Sequence, residues 1–147
     1  MKNLALLLDT NILLDWVLQR RPFHQSSSAV IELCLSGDVD GFVAVHSVLN
    51  FYYVTRKDYS TDDRRLLSQF LCERFNIVGV DREIVLKALS ALGFKDLEDD
   101  LQIQCAIETQ MDYIITRDVK GFASSDVKII SPDDFLSIWR DFLGGLT

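Results

Sequence analysis

The chain predicts an α/β domain: a single-domain parallel open sheet of about five strands, with helices on both faces. Short apolar runs of strand type alternate with helical patterns along its whole length, as a covered parallel sheet requires. The first of those runs, Leu4-Ala5-Leu6-Leu7-Leu8, is apolar without interruption, as a strand buried on both faces must be. The 147 residues, 48% of them hydrophobic, suit one domain with a sizeable core. No repeat, low-complexity tract or linker divides the sequence, so residues 1–147 read as one unit.

The elements follow in order. After the first strand, Thr10 or Asn11 can cap a helix from Ile12 to about Leu18. Pro22 breaks it, because proline disfavours helix in the residue before it. Residues 26–35 predict a second helix, ended by Gly37, and residues 41–45 the second strand. Ser47 is expected to cap a third helix to about Lys57, with Leu49, Tyr52 and Tyr53 facing the core. A helix over 61–74 leads to a third strand at 77–80. Asp81 caps the next helix, which runs to Leu92 and stops at Gly93. A helix over 97–109 precedes the fourth strand, 113–116, and the fifth strand is 127–130. Ser131-Pro132, a cap with proline at the first helical position, opens a final amphipathic helix.

Composition narrows the function. No apolar run approaches the roughly 18 residues of a membrane span. Asp9 and Asn11 interrupt the amino-terminal apolar stretch, and no cleavage site for a signal peptide follows. The expected location is the cytoplasm, with no membrane partner. Cys34, Cys72 and Cys105 are odd in number and widely spaced, which argues against disulfides and thiolate zinc. His24 and His46 lack partners at metal-ligand spacing. The net charge of −7 argues against nonspecific wrapping of DNA, which needs a broad basic face. Arg20-Arg21, Arg56-Lys57 and Arg64-Arg65 remain as local basic pairs.

The chemistry lies in acids at strand ends. Asp9 closes the first strand, Asp118 follows the fourth by way of Thr116-Arg117, and Asp99 lies in Asp96-Leu97-Glu98-Asp99-Asp100. In an open parallel sheet the carboxyl ends of the strands face one crevice, where ligands bind. Carboxylates gathered there repel one another unless a cation holds them. A turn and cap account for Asp9-Thr10-Asn11 equally well, and acids favour the first turn of any helix. Four acids within five positions exceed that need. Asp96 shares a helical face with Asp99 and Asp100, while Glu98 is expected to point elsewhere. Asp9, Asp118 and either Asp99 or Asp100 are therefore expected to gather round a divalent ion. Mg²⁺ keeps most of its waters and needs few protein oxygens.

Taken together, these segments resemble the PIN domain, the metal-dependent nuclease domain of VapC-type toxins. The resemblance begins with Leu8-Asp9-Thr10-Asn11-Ile12-Leu13-Leu14-Asp15. It continues through Glu98-Asp99-Asp100-Leu101-Gln102, with Ala106 further along, to Asp112-Tyr113-Ile114-Ile115-Thr116-Arg117-Asp118 and Phe122. It implies a Rossmann-like PIN fold, Asp9, Asp99 and Asp118 as metal ligands and catalytic acids, and Asn11, Asp96 and Thr116 in support. Asn50 stands where the family usually has a glutamate, a variant similar to one bacterial branch. Its carbonyl can hold a metal or a metal-bound water but adds no charge and cannot act as a base. The alternative for Asn50 is reinforcement of the Ser47 cap.

The resemblance implies a Mg²⁺- or Mn²⁺-dependent endoribonuclease, with RNA as substrate and water as nucleophile. A toxin of this kind would have an antitoxin protein over the acidic crevice or the early helices, and the resemblance admits a homodimer. A PIN fold that binds RNA or protein without cutting is the alternative raised by Asn50. A phosphoacceptor signalling domain also gathers acids around Mg²⁺, with Asp81 as acceptor. It would need an acid pair after the first strand and a lysine after the fifth, and neither is present.

Overall fold

A computed structural model describes residues 2–122 and 127–145. The chain runs β1 (Ala5–Leu8), α1 (Thr10–Leu18), α2 (His24–Leu35), β2 (Asp40–Ala44), α3 (Val45–Val54), α4 (Thr61–Arg74) and β3 (Asn76–Val78). It continues with α5 (Arg82–Leu89), α6 (Leu97–Glu108), β4 (Tyr113–Ile115), β5 (Ile129–Ile130) and α7 (Pro132–Gly145). All five strands are parallel, in the order β3-β2-β1-β4-β5.

The central strand explains the two-sided core. Alternate side chains of a strand point to opposite faces. Leu6 and Leu8 join Ile12, Val30, Ile31, Phe51 and Phe135 on one face, beneath α1, α2, α3 and α7. Ala5 and Leu7 join Ile103, Cys105, Ala106 and Phe122 on the other, beneath α6. Each fully buried leucine contributes about 1.5–3 kcal/mol by leaving water. Gly41 on β2 is a place where a side chain would not fit, because a Cβ would lie 2.8 Å from Cys34 and 2.9 Å from Phe75.

The strand order fixes the site. The chain lays β2 and β3 on one side of β1, then crosses back to lay β4 and β5 on the other. The switch point is the gap between β1 and β4, paired from Leu6–Tyr113 to Leu8–Ile115. Asp9 leaves one side of that gap, and Thr116-Arg117-Asp118 leaves the other.

Several sequence expectations need correction. Asp9 itself caps α1, its carboxylate accepting the Thr10 N–H at 2.8 Å, so neither Thr10 nor Asn11 is the cap. Ser47 does not cap α3, which starts two residues earlier at Val45 without a side-chain cap. The face of α3 turned to the core carries Ser47 and Phe51. Leu49 is left 67% exposed and Tyr53 59% exposed instead of facing the core. The α-helix ends at Val54, where the Thr55 hydroxyl donates to the Phe51 carbonyl at 2.8 Å and a 3-10 turn takes over. Asp81 caps α5 as expected, but the helix stops at Leu89, where the Ser90 hydroxyl turns back on the Leu86 carbonyl.

Candidate metal centre

Asp9 forms the floor of the crevice. Burial raises its pKa most strongly, and repulsion from Glu98 and Asp118 adds to that. Hydrogen bonds oppose the rise: the Thr116 hydroxyl donates to Oδ2 at 2.8 Å, and the Thr10 N–H to Oδ1. Thr116 Oγ1 also accepts the Asp118 N–H at 3.1 Å, so one buried hydroxyl fixes both acids.

Asp99 forms the wall, in the first turn of α6. Asp96 caps that helix, its carboxylate accepting the Asp99 N–H at 3.0 Å. The Asp99 carboxyl is pushed up to about 7, first by desolvation and then by Asp9, Asp96, Asp118 and Glu98. Asp118 faces it across Gly121. The point a Gly121 Cβ would occupy lies 2.6 Å from Asp118 Oδ2 and 3.2 Å from Asp99 Oδ2. A cavity of about 230 Å³ opens beside Asp99, rimmed by Lys95 and Lys120.

Glu98 was expected to point elsewhere, and it does not. Its Oε1 accepts from the Thr10 hydroxyl at 3.0 Å, and its charge acts on both Asp9 and Asp99. The amino end of α6 enters the crevice, so successive residues about 100° apart both line it. Four acids in five positions was the available signal, and the face argument set it aside.

Other expected members form no hydrogen bond to these acids among the described residues. Asn11 is exposed and accepts from Arg20 at 3.2 Å. Asn50 is half-buried on α3, one turn beyond Ser47, and its side chain makes no hydrogen bond among the described residues. It reinforces no cap. Asp81 is exposed beyond edge strand β3, two strands from β1, so it cannot serve as a phosphoacceptor for this crevice.

Among the described residues, no three His, Cys, Asp or Glu side chains are gathered closely enough to hold a metal ion. Asp9, Asp99 and Asp118 nonetheless lie near enough for their charges to act on one another, as like charges gathered in one crevice do. The donor set still fits a hydrated divalent ion. It offers hard oxygens only, and Mg²⁺ needs just one or two carboxylates. No described lysine, arginine or histidine forms an ion pair with Asp9, Asp99 or Asp118.

Known proteins share this architecture. Ribonuclease VapC1 of Aquifex aeolicus is 27% identical over 146 residues, spanning 95% of this chain and 99% of that protein. A chain of a toxin–antitoxin complex from Klebsiella pneumoniae superposes with a TM-score of 0.65 at 19% identity, covering 86% of this chain and 96% of that one. A chain of VapBC-1 from nontypeable Haemophilus influenzae gives 0.63 at 17% identity, covering 88% and 99%. These two likenesses bear on the fold. The family model described as PIN domain matches residues 5–120, which carry β1 to β4 and every acid of the crevice; the chain belongs to the PIN domain family.

Proposed function

We propose that the chain is a divalent-metal-dependent endoribonuclease of the VapC toxin type, working in the cytoplasm as one domain over residues 1–147. The observation that carries this reading is a buried acid, Asp9, held by two hydrogen bonds and facing further carboxylates without a protein cation. Such a site is built for a cation from outside. The ribonuclease relative that matches nearly end to end supports the choice of reaction.

Asp9, Asp99 and Asp118 would hold Mg²⁺ or Mn²⁺, with Thr116 fixing the first and last of them. A bound ion would supply the charge that makes water nucleophilic near neutral pH and steadies the scissile phosphate. The chain's own residues do the rest. Asp96 orients the first turn of α6 and with it Asp99. Lys95 and Lys120 lie where the RNA backbone would pass and offer charge to its phosphates. Asn11 hydrogen-bonds Arg20 instead of these acids, and Asn50, one turn beyond Ser47 on α3, would stand on the α3 side of the ion. The toxin–antitoxin complexes among the structural relatives support an antitoxin partner, and a homodimer belongs to the same reading. No described helix is long and apolar enough to cross a membrane.

The test is cleavage of single-stranded RNA in Mg²⁺ or Mn²⁺. Cleavage stops with EDTA and with Asp9→Asn. Activity that survives both treatments would sink the proposal. A second reading, an RNA- or protein-binding domain that does not cut, is favoured by the neutral Asn50. RNA retention without cleavage in either metal would select it.

A further inference from the structure

Behind the acids lies a polar corner that the reaction as described leaves unused. Thr10 Oγ1 lies 2.8 Å from Ser47 Oγ and 3.0 Å from Glu98 Oε1. The Gln102 amide donates to Ser47 Oγ at 2.8 Å. One proton arrangement satisfies these contacts: Gln102 gives to Ser47, Ser47 to Thr10, and Thr10 to Glu98. Ser47 and Gln102 are fully buried, and Thr10 is nearly so. The chain of donors thus ends on one charged acceptor, the Glu98 carboxylate.

Two neighbours lack partners. Among the described residues, Gln102 Oε1 is buried without a hydrogen bond, and so are both ring nitrogens of His46. Glu98 is the charged group that acts on the His46 ring. Buried polar atoms are nearly always paired with protein, water or an ion. Unpartnered atoms on two elements around one carboxylate mark a corner shaped for hydrated guests.

Position gives this corner its meaning. It lies on the β2 side of Asp9, where α3 presents Ser47, and one turn along α3 comes the neutral Asn50. We propose that Glu98 is a further metal-holding residue, supplying from α6 the charge that Asn50 does not supply from α3. The inference rests on the metal-dependent reading above. Ser47 and Gln102 position Glu98 through Thr10, and none of the three need touch the ion.

The test is calorimetric titration of the whole protein with Mn²⁺ alone. Glu98→Gln keeps an oxygen for the Thr10 hydroxyl and removes only the charge. It weakens Mn²⁺ binding at least tenfold, about 1.4 kcal/mol. Glu83→Gln, an exposed acid in the first turn of α5, stays within twofold of wild type. Adding Asn50→Glu to Glu98→Gln restores affinity, because the charge returns to the same corner. Wild-type affinity in Glu98→Gln overturns the proposal, and so does a double variant that binds no better than Glu98→Gln. If Glu98→Gln does not fold by circular dichroism, Glu98→Asp is read by Mn²⁺ electron paramagnetic resonance. Weaker binding supports the proposal, and unchanged binding overturns it. Asp9→Asn in the same titration separates the two claims. If it binds Mn²⁺ like wild type, the metal reading itself fails. If it loses Mn²⁺ while Glu98→Gln keeps it, only the role of Glu98 falls.

Discussion

Asp9 and Asp15 lie on adjoining turns of one helix start and are almost equally buried, at 5% and 0% exposure. Their surroundings differ in kind. Arg117 Nε lies 2.7 Å from Asp15 Oδ2, Ser27 donates to the same oxygen, and the guanidinium lies 3.9 Å over the Phe23 ring. Asp9 receives hydrogen bonds and no cation. A buried charge that serves the fold is neutralised by the fold. One that serves a ligand is held in place and left for that ligand to neutralise. Arg117 sits between Thr116 and Asp118, yet it turns to Asp15 and leaves the acids of the crevice alone.

Breaking the neutralised side should have the largest effect. Arg117→Ala strands Asp15 in the core and is expected to cost about 3–5 kcal/mol, read by urea denaturation. A loss below about 1 kcal/mol would mean that Asp15 finds another partner.

The unneutralised side should show itself through pH. Folded Asp99 holds its proton up to about 7, against 3.8 for the ordinary group, so the fold binds more protons than the unfolded chain in that window. In EDTA, stability therefore falls as pH rises from about 4 to about 7. Asp99→Asn should flatten that slope, and Mn²⁺ should oppose it. An equal slope in the variant would assign it to other groups.

Gly121→Ala probes the gap between Asp118 and Asp99. Its methyl would displace the Asp118 carboxylate. Mn²⁺ affinity should drop several-fold, with the melting temperature within about 2 °C of wild type, which is under about 1 kcal/mol for a domain this size. The smallest change in stability belongs to Asp9→Asn in EDTA. The Thr116 hydroxyl can turn to accept from the new amide while a repelled charge disappears. The melting temperature should not fall, and a drop of several degrees would make Asp9 a structural acid like Asp15.

The sheet was legible because a doubly buried strand leaves a continuous apolar run, and an acid at its end stands out. Asp9 and Asp118 were placed by that logic, and the likeness to the family pattern covered the order of the pieces. Two things were hidden. The inward face of α3 carries polar Ser47 beside Phe51, with Thr55 buried just past its end, so hydrophobic periodicity favours the wrong side, with Leu49 and Tyr53. Glu98 was set aside by a rule for helix flanks, whereas the end of α6 enters the crevice. Side-chain spacing describes a helix seen from the side, and this one is met end-on.

The strand order has a consequence for how the protein is made. β1 emerges from the ribosome shortly before its neighbour β2, but its other neighbour, β4, is synthesised more than a hundred residues after Leu8. Asp9 therefore waits for Asp118 while more than a hundred residues are added. A chain interrupted between the two holds half a crevice, so the site cannot assemble before Asp118 has been made.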